Sequence, residues 1–187
     1  MQIHQAIFHI EKCLSEHNCK KMISYMDEKC KTKAEVMGRN NKPQTDTKIR
    51  DVLSHWLNPD DYGSPPYYKI VEEGIKKGVQ KYVQQFKFMG NLHLNEINLL
   101  KYQKDNFYLK HVDASNTLNR TLSIIINMNE EYEGGDLIFF NPYTDRAYSK
   151  PTLKTGDMII FPSNFLYPHQ VLPVTKGERY SIVSWLT

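Results

Sequence analysis

Two kinds of hydrophobic periodicity divide the chain. Between about residues 10 and 30, Leu14, Met22, Ile23 and Met26 lie among charged positions at near-helical spacing, which predicts an amphipathic opening helix. From residue 31 to 48 the pattern dissolves around Gly38, Asn40, Asn41, Pro43 and Gln44, so a surface loop is expected. Apolar residues return from Ile49 to Leu57 and stop at the turn-forming run from Asn58 to Pro66. A second helix is predicted over Tyr67 to Phe86, because Ile70, Val71, Ile75, Val79, Tyr82, Val83 and Phe86 recur at three- and four-residue steps. Such a stripe packs on a sheet; Gly74 and Gly78 weaken the helix within it.

The grammar changes after Glu96. Short runs rich in Ile, Leu, Val, Tyr and Phe follow one another: Ile97 to Tyr102, Tyr108 to Val112, Thr121 to Met128, Asp136 to Phe140, Asp157 to Phe161, His169 to Leu172 and Arg179 to Leu186. Turn residues separate them, with Gly134-Gly135 and Lys154-Thr155-Gly156-Asp157 the clearest. Strands with no helices between them predict a sandwich or jelly roll instead of an alternating α/β fold. The expected architecture is a single α+β domain over 1–187, with 1–95 mainly helical support and loops and 96–187 a jelly-roll catalytic core.

Composition narrows the function classes. The 187 residues suffice to bury a full core. A net charge of +3, with both signs interspersed, leaves no basic stripe, so nucleic acid is not an expected partner. Cys13, Cys19 and Cys30 form no Cys-x-x-Cys pair, which suits a reducing compartment and argues against a zinc knuckle. His4, His9, Glu11 and Lys12 interrupt the first apolar stretch and no later one reaches spanning length. A soluble, cytoplasmic protein without a membrane partner is expected; oligomeric state is not legible.

Candidate chemistry lies between Tyr108 and Trp185. In His111-Val112-Asp113 a histidine and a carboxylate stand at i and i+2, which on an extended strand share a face roughly 7 Å apart, within reach of one metal ion. Alone, such a pair among seven histidines is more often an exposed strand-end pair than a metal site. A ferrous oxygenase needs a third protein ligand and open remaining positions, and His169, entering a strand after the apolar run Met158 to Phe161 and a Pro-marked turn, is the best candidate. Arg179 begins the last strand after the Lys176-Gly177-Glu178 turn, and a hairpin there would return it alongside His169. A guanidinium inside a barrel needs a partner and matches a carboxylate in bidentate fashion. The far carboxylate of 2-oxoglutarate would meet that need while its 2-oxo acid end chelates iron.

These residues sit in a longer pattern. It runs through Asn98-Leu99-Leu100-Lys101-Tyr102, Tyr108 to Asp113, Arg120-Thr121-Leu122-Ser123, Asn127-Met128-Asn129, Tyr132 to Leu137, Gly156 to Ser163, His169-Gln170-Val171, Pro173-Val174 and Lys176 to Ser181, ending at Trp185. In order and spacing it resembles the 2-oxoglutarate- and iron(II)-dependent dioxygenases of the prolyl 4-hydroxylase type; the N-terminal half matches only in general plan. The resemblance implies a cupin-like double-stranded β-helix with iron held by His111, Asp113 and His169 and the distal carboxylate of 2-oxoglutarate held by Arg179. It further implies cosubstrate contacts from Tyr102, Ser181 and Asn127, aromatic lining from Tyr108 and Trp185, and Arg120 at the mouth where substrate approaches. Dioxygen is the other cosubstrate and ascorbate a reductant. Asn127 departs from relatives that carry tyrosine there, and Arg179 from those with lysine. With Asp113 present, hydroxylation is implied over halogen transfer.

The implied substrate is a prolyl residue in a peptide or protein, with the 31–48 loop as a lid. A free amino acid or small metabolite is the alternative within the enzyme class. A catalytically inactive jelly-roll binding protein is the alternative outside it.

Overall fold

The computed structural model describes residues 3–38, 42–86 and 90–187. After a short 3-10 turn (Ile3–Ala6) come β1 (Phe8–Ile10), α1 (Glu16–Lys29), β2 (Thr32–Lys33), β3 (Val36–Met37), β4 (Pro43–Gln44), β5 (Arg50–Asp51), β6 (Leu53–Trp56) and α2 (Pro65–Gln85). Strands alone follow: β7 (Leu94–Tyr102), β8 (Phe107–His111), β9 (Leu122–Asn127), β10 (Tyr132–Gly134), β11 (Leu137–Phe140), β12 (Ala147–Ser149), β13 (Met158–Pro162), β14 (His169–Val171), β15 (Val174–Gly177) and β16 (Arg179–Leu186). They form an antiparallel β-sandwich. One sheet has seven strands in the order β1-β13-β9-β16-β7-β6-β2, the other five in the order β12-β11-β14-β8-β5, and β10/β15 and β3/β4 are separate pairs.

Alternation along the strands of the larger sheet explains the core. Ile97 and Leu99 of β7, Ile124 and Ile126 of β9, Met158 and Ile160 of β13, and Tyr180 and Ile182 of β16 pack on the helices. Their neighbours Leu100, Tyr102, Ile125, Ile159 and Phe161 face the smaller sheet, meeting Leu137, Phe139 and Val171. Both faces of β9 are covered, so all six of its residues are buried. By the same alternation Arg179, Ser181 and Trp185 share the inner side of β16 with Val183.

The opening helix starts later than its periodicity suggested. Ser15 caps it, accepting from the Asn18 amide at 3.2 Å, while Phe8–Ile10 instead pairs with β13 as an edge strand. In α2 the buried stripe is Val71, Gly74, Ile75, Gly78 and Tyr82. The two glycines are contact points: a Cβ at Gly74 would lie 2.7 Å from Leu14 Cδ2, and one at Gly78 would collide with Met158 Sδ. Their lack of a side chain lets the helix approach the segment before α1 at Gly74 and β13 at Gly78. The segment read as a loop contains β2, β3 and β4, and its residues 39–41 lie outside the described ones. Among the described residues no helix is long and apolar enough to cross a membrane.

Candidate metal and cosubstrate site

The smaller sheet carries the metal-ligand candidates on adjacent strands. His169 of β14 is the cross-strand partner of His111 on β8, with ring centroids 4.3 Å apart. Strand β8 ends at His111 and the chain bends, yet Asp113 still reaches the same point: its Oδ1 lies 3.5 Å from His111 Nε2 and its Oδ2 3.6 Å from His169 Nε2. One ligand atom from each of the three residues lies within 4.8 Å of the others.

The donor set fits a divalent metal in protonation as well as position. His111 Nδ1 donates to the Leu109 carbonyl at 2.7 Å and His169 Nδ1 to the Tyr167 carbonyl at 3.0 Å. Each bond puts the ring proton on Nδ1 and leaves the Nε2 lone pair for a ligand. Burial, followed by the neighbouring His111, pushes the His169 pKa down to about 4, which keeps the ring in its neutral, ligating form. Burial works against charge on Asp113 too, but His169, His111 and the Ser123 hydroxyl outweigh it and hold the carboxyl far below the usual range. Two imidazole nitrogens and one carboxylate with further positions open form the donor set of a non-haem Fe(II) site.

The inner cavity, about 30 Å³, is bounded by Tyr102, Tyr108, His111, Asp113, His169 and Trp185, among others. Arg179 belongs to the opposite sheet, paired with Tyr102 across β16 and β7. The expected hairpin beside His169 does not form, because β15 is taken up by β10 and the chain then crosses to lie between β7 and β9. Arg179 therefore lies on the sheet opposite the metal-ligand candidates, beside Tyr102, which lines the inner cavity. The arginine is 2% exposed, and its guanidinium lies 5.0 Å from the Tyr102 ring centroid and donates to Ser181 Oγ at 3.2 Å. No carboxylate among the described residues pairs with it and its buried Nε has no partner, so it retains donors for an anionic ligand.

Asn127 sits opposite Ser181 in the strand register. Its amide group donates to the carbonyls of Asn129 and Leu153, and its oxygen accepts from the Tyr132 hydroxyl at 3.2 Å. The shorter side chain is thus absorbed into the wall. Trp185 lines the inner cavity and the outer cleft, and its buried Nε1 has no partner. Arg120 stacks on that indole at 3.5 Å, bonds Glu96 at 2.9 Å and reaches the Asp113 carbonyl at 3.4 Å. Tyr108 stacks on His111 at 3.6 Å.

Three groups escaped the sequence reading. Arg50 is buried over the other side of this stack, 4.7 Å from the Tyr108 centroid, bonded to the Glu35 carbonyl, with its Nε unpartnered. It lines both the inner cavity and an outer cleft of about 330 Å³ walled by Val36, Met37, Pro43, Ile49 and Trp56. An arginine after a polar loop carries no sequence signal of burial. Ser123 and Ser163 lie behind Asp113, the first donating to its Oδ2 at 2.6 Å and the two hydroxyls 2.8 Å apart. Both fall inside strand-like motifs, where serine reads as spacing.

Comparison with known proteins places this geometry. Residues 97–187 match the family model of the 2OG-Fe(II) oxygenase superfamily. A PKHD-type hydroxylase of Idiomarina loihiensis is 30% identical over 94 residues, covering 48% of this chain and 41% of that protein. One of Xylella fastidiosa is 33% identical over 100 residues, covering 46% and 41%. The match thus spans about two fifths of the length of these curated relatives. Among solved structures, a Trichoplax adhaerens prolyl hydroxylase in complex with a hypoxia inducible factor peptide fragment superposes with a TM-score of 0.74 at 16% identity, covering 97% of this chain and 83% of that one. The viral collagen prolyl hydroxylase of Paramecium bursaria Chlorella virus-1, in its 2OG complex, gives 0.69 at 17% identity, covering 97% and 95%. At such identities these structures show a shared fold.

Proposed function

We propose, from the match of residues 97–187 to the 2OG-Fe(II) oxygenase superfamily model, that the chain is an Fe(II)- and 2-oxoglutarate-dependent hydroxylase. The observation that carries the reading is the convergence of two Nε2 lone pairs and one carboxylate, with a buried arginine that has unused donors on the opposite sheet. His111, Asp113 and His169 would hold the metal. When bound, Fe(II) with 2-oxoglutarate and dioxygen supplies an oxidation that yields succinate and carbon dioxide and places one oxygen atom in a substrate C–H bond.

The side chains do the positioning. Arg179, held by Ser181 and backed by Tyr102, would take the distal carboxylate in a fork geometry. Tyr102, Tyr108 and Trp185, which line the cavity, exclude water from it. The Leu109 and Tyr167 carbonyls hold the imidazole protons away from the ligand positions.

The favoured substrate is a prolyl residue in a peptide or protein. Support comes from the outer cleft, whose apolar walls are formed partly by β3 and β4 of the 31–48 segment and which opens directly onto the ligand candidates. Arg120 and Arg50 would meet the substrate there. In this reading the sandwich is a double-stranded β-helix, residues 96–187 are its catalytic core and α1 and α2 support the larger sheet. Succinate formation from 2-oxoglutarate, dependent on Fe(II) and abolished by His169→Ala, tests the activity. A gain of one oxygen on proline-containing peptides but not on free proline tests the substrate; succinate without peptide modification would overturn the prolyl assignment alone.

A further inference from the structure

Asp113 is held from behind by two serines whose hydrogen-bond direction is determined by charge. An ionised carboxylate only accepts, so the Ser123 hydroxyl hydrogen must lie on the 2.6 Å line to Asp113 Oδ2. Ser123 Oγ then has a free lone pair, and the Ser163 hydroxyl 2.8 Å away donates into it. Both serines are essentially fully buried, at 0% and 1% exposure, so water does not compete for these bonds. Ser123 faces inward from β9, opposite Phe161 and Trp185. Ser163, just past β13, is anchored by its backbone, which donates to the Thr121 carbonyl at 3.1 Å and accepts from the Ala114 amide at 2.9 Å. The same residue thus fixes both the hydroxyl relay and the peptide that follows Asp113.

The carboxylate needs this restraint. Each of its oxygens sits near a different imidazole Nε2, at 3.5 and 3.6 Å, so geometry alone would let either oxygen, or both, serve as ligand. A bidentate carboxylate would consume a coordination position that the chemistry proposed above requires. We propose that Ser123, oriented by Ser163, is a positioning residue that occupies Oδ2 and reserves Asp113 Oδ1 as a single metal donor atom. This inference rests on the metal-binding reading of the site, and the experiment separates the two.

Mn(II) affinity of the purified full chain is measured by the loss of the free-ion paramagnetic resonance signal, alongside the visible absorption of the Co(II)-loaded protein and the metal-free Tm. Wild type binds Mn(II). Ser123→Ala weakens binding about tenfold or more, the range seen when partners of a ligand are removed, and lowers Co(II) band intensity as the freed carboxylate becomes bidentate and coordination number rises. Ser123→Thr, which retains the hydroxyl, restores both readouts, and Ser163→Ala gives an intermediate loss. Equal Mn(II) affinity and equal Co(II) spectra in wild type and Ser123→Ala would overturn the relay while leaving the metal site standing. Absence of Mn(II) binding in wild type would overturn the metal site and the relay with it. Should Ser123→Ala lower the metal-free Tm, Ser163→Ala decides: weakened binding at unchanged Tm upholds the relay, and wild-type binding refutes it.

Discussion

Gly135→Ala offers a test of the arginine anchor without touching the arginine. Gly135 has φ of +63°, and a Cβ there would lie 2.9 Å from Arg179 Cδ and 3.0 Å from Val174 Cγ2. Ordinary contact begins near 3.4 Å, so the arginine stem must move by about 0.5 Å (3.4 − 2.9). It has nowhere to swing, being 2% exposed and tied through Nη1 to Ser181. Displacement of that size is at the tolerance of a positioned site, and an ångström of misplacement is worth about a hundredfold, so the KM for 2-oxoglutarate should rise about tenfold, ~1.4 kcal/mol. The left-handed backbone adds about 1–2 kcal/mol of destabilisation, a Tm lower by roughly 2–8 °C. Succinate production as a function of 2-oxoglutarate gives the first quantity and thermal denaturation the second, with Mn(II) affinity as a control that should not change. A lowered Tm with an unchanged KM for 2-oxoglutarate would refute the reasoning, because the strain would then not have reached the guanidinium.

Other expectations follow from burial and charge. His169 has a folded pKa of about 4 against an ordinary 6.5, so the folded state binds fewer protons than the unfolded one between those values; metal-free stability should be fully present above pH 6.5 and fall as pH drops toward 4, a loss that His169→Gln should reduce in a Tm-versus-pH series. Arg50→Met should raise the KM for a peptide substrate in steady-state assays, since Arg50 lines the outer cleft beside the proposed substrate path. Gly78→Ala should lower stability by about 1–3 kcal/mol in denaturant titration, because the added methyl meets Met158 in a packed interface, despite the better helix propensity of alanine.

The strands after Glu96 were legible because a two-residue period and turn residues specify them locally. What local pattern did not carry was the sheet each strand joins. Arg179 looked like a hairpin neighbour of His169 because sequence proximity suggested it, whereas pairing with β7 and β9 placed it across the sandwich. Gly74 and Gly78 read as helix-weakening because propensity is a property of the helix alone, and their use lies in what packs against them. Arg50, Ser123 and Ser163 were invisible for the same reason: their roles come from neighbours far along the chain, and the hydroxyl relay joins residues forty positions apart.

The division of the site between two sheets makes the sandwich a caliper. His111 and His169 belong to one jaw and Arg179 to the other, so the span between the proposed metal and anchor would be set by the side chains filling the gap, Leu100, Ile125, Val171 and Phe161 among them. Packed sheets keep a spacing of about 10 Å with little give. Under the proposed function, selection among 2-oxo diacids by chain length would then be a property of the hydrophobic core, and variants that thin or thicken it, with no contact to any ligand, should shift preference toward shorter or longer homologues.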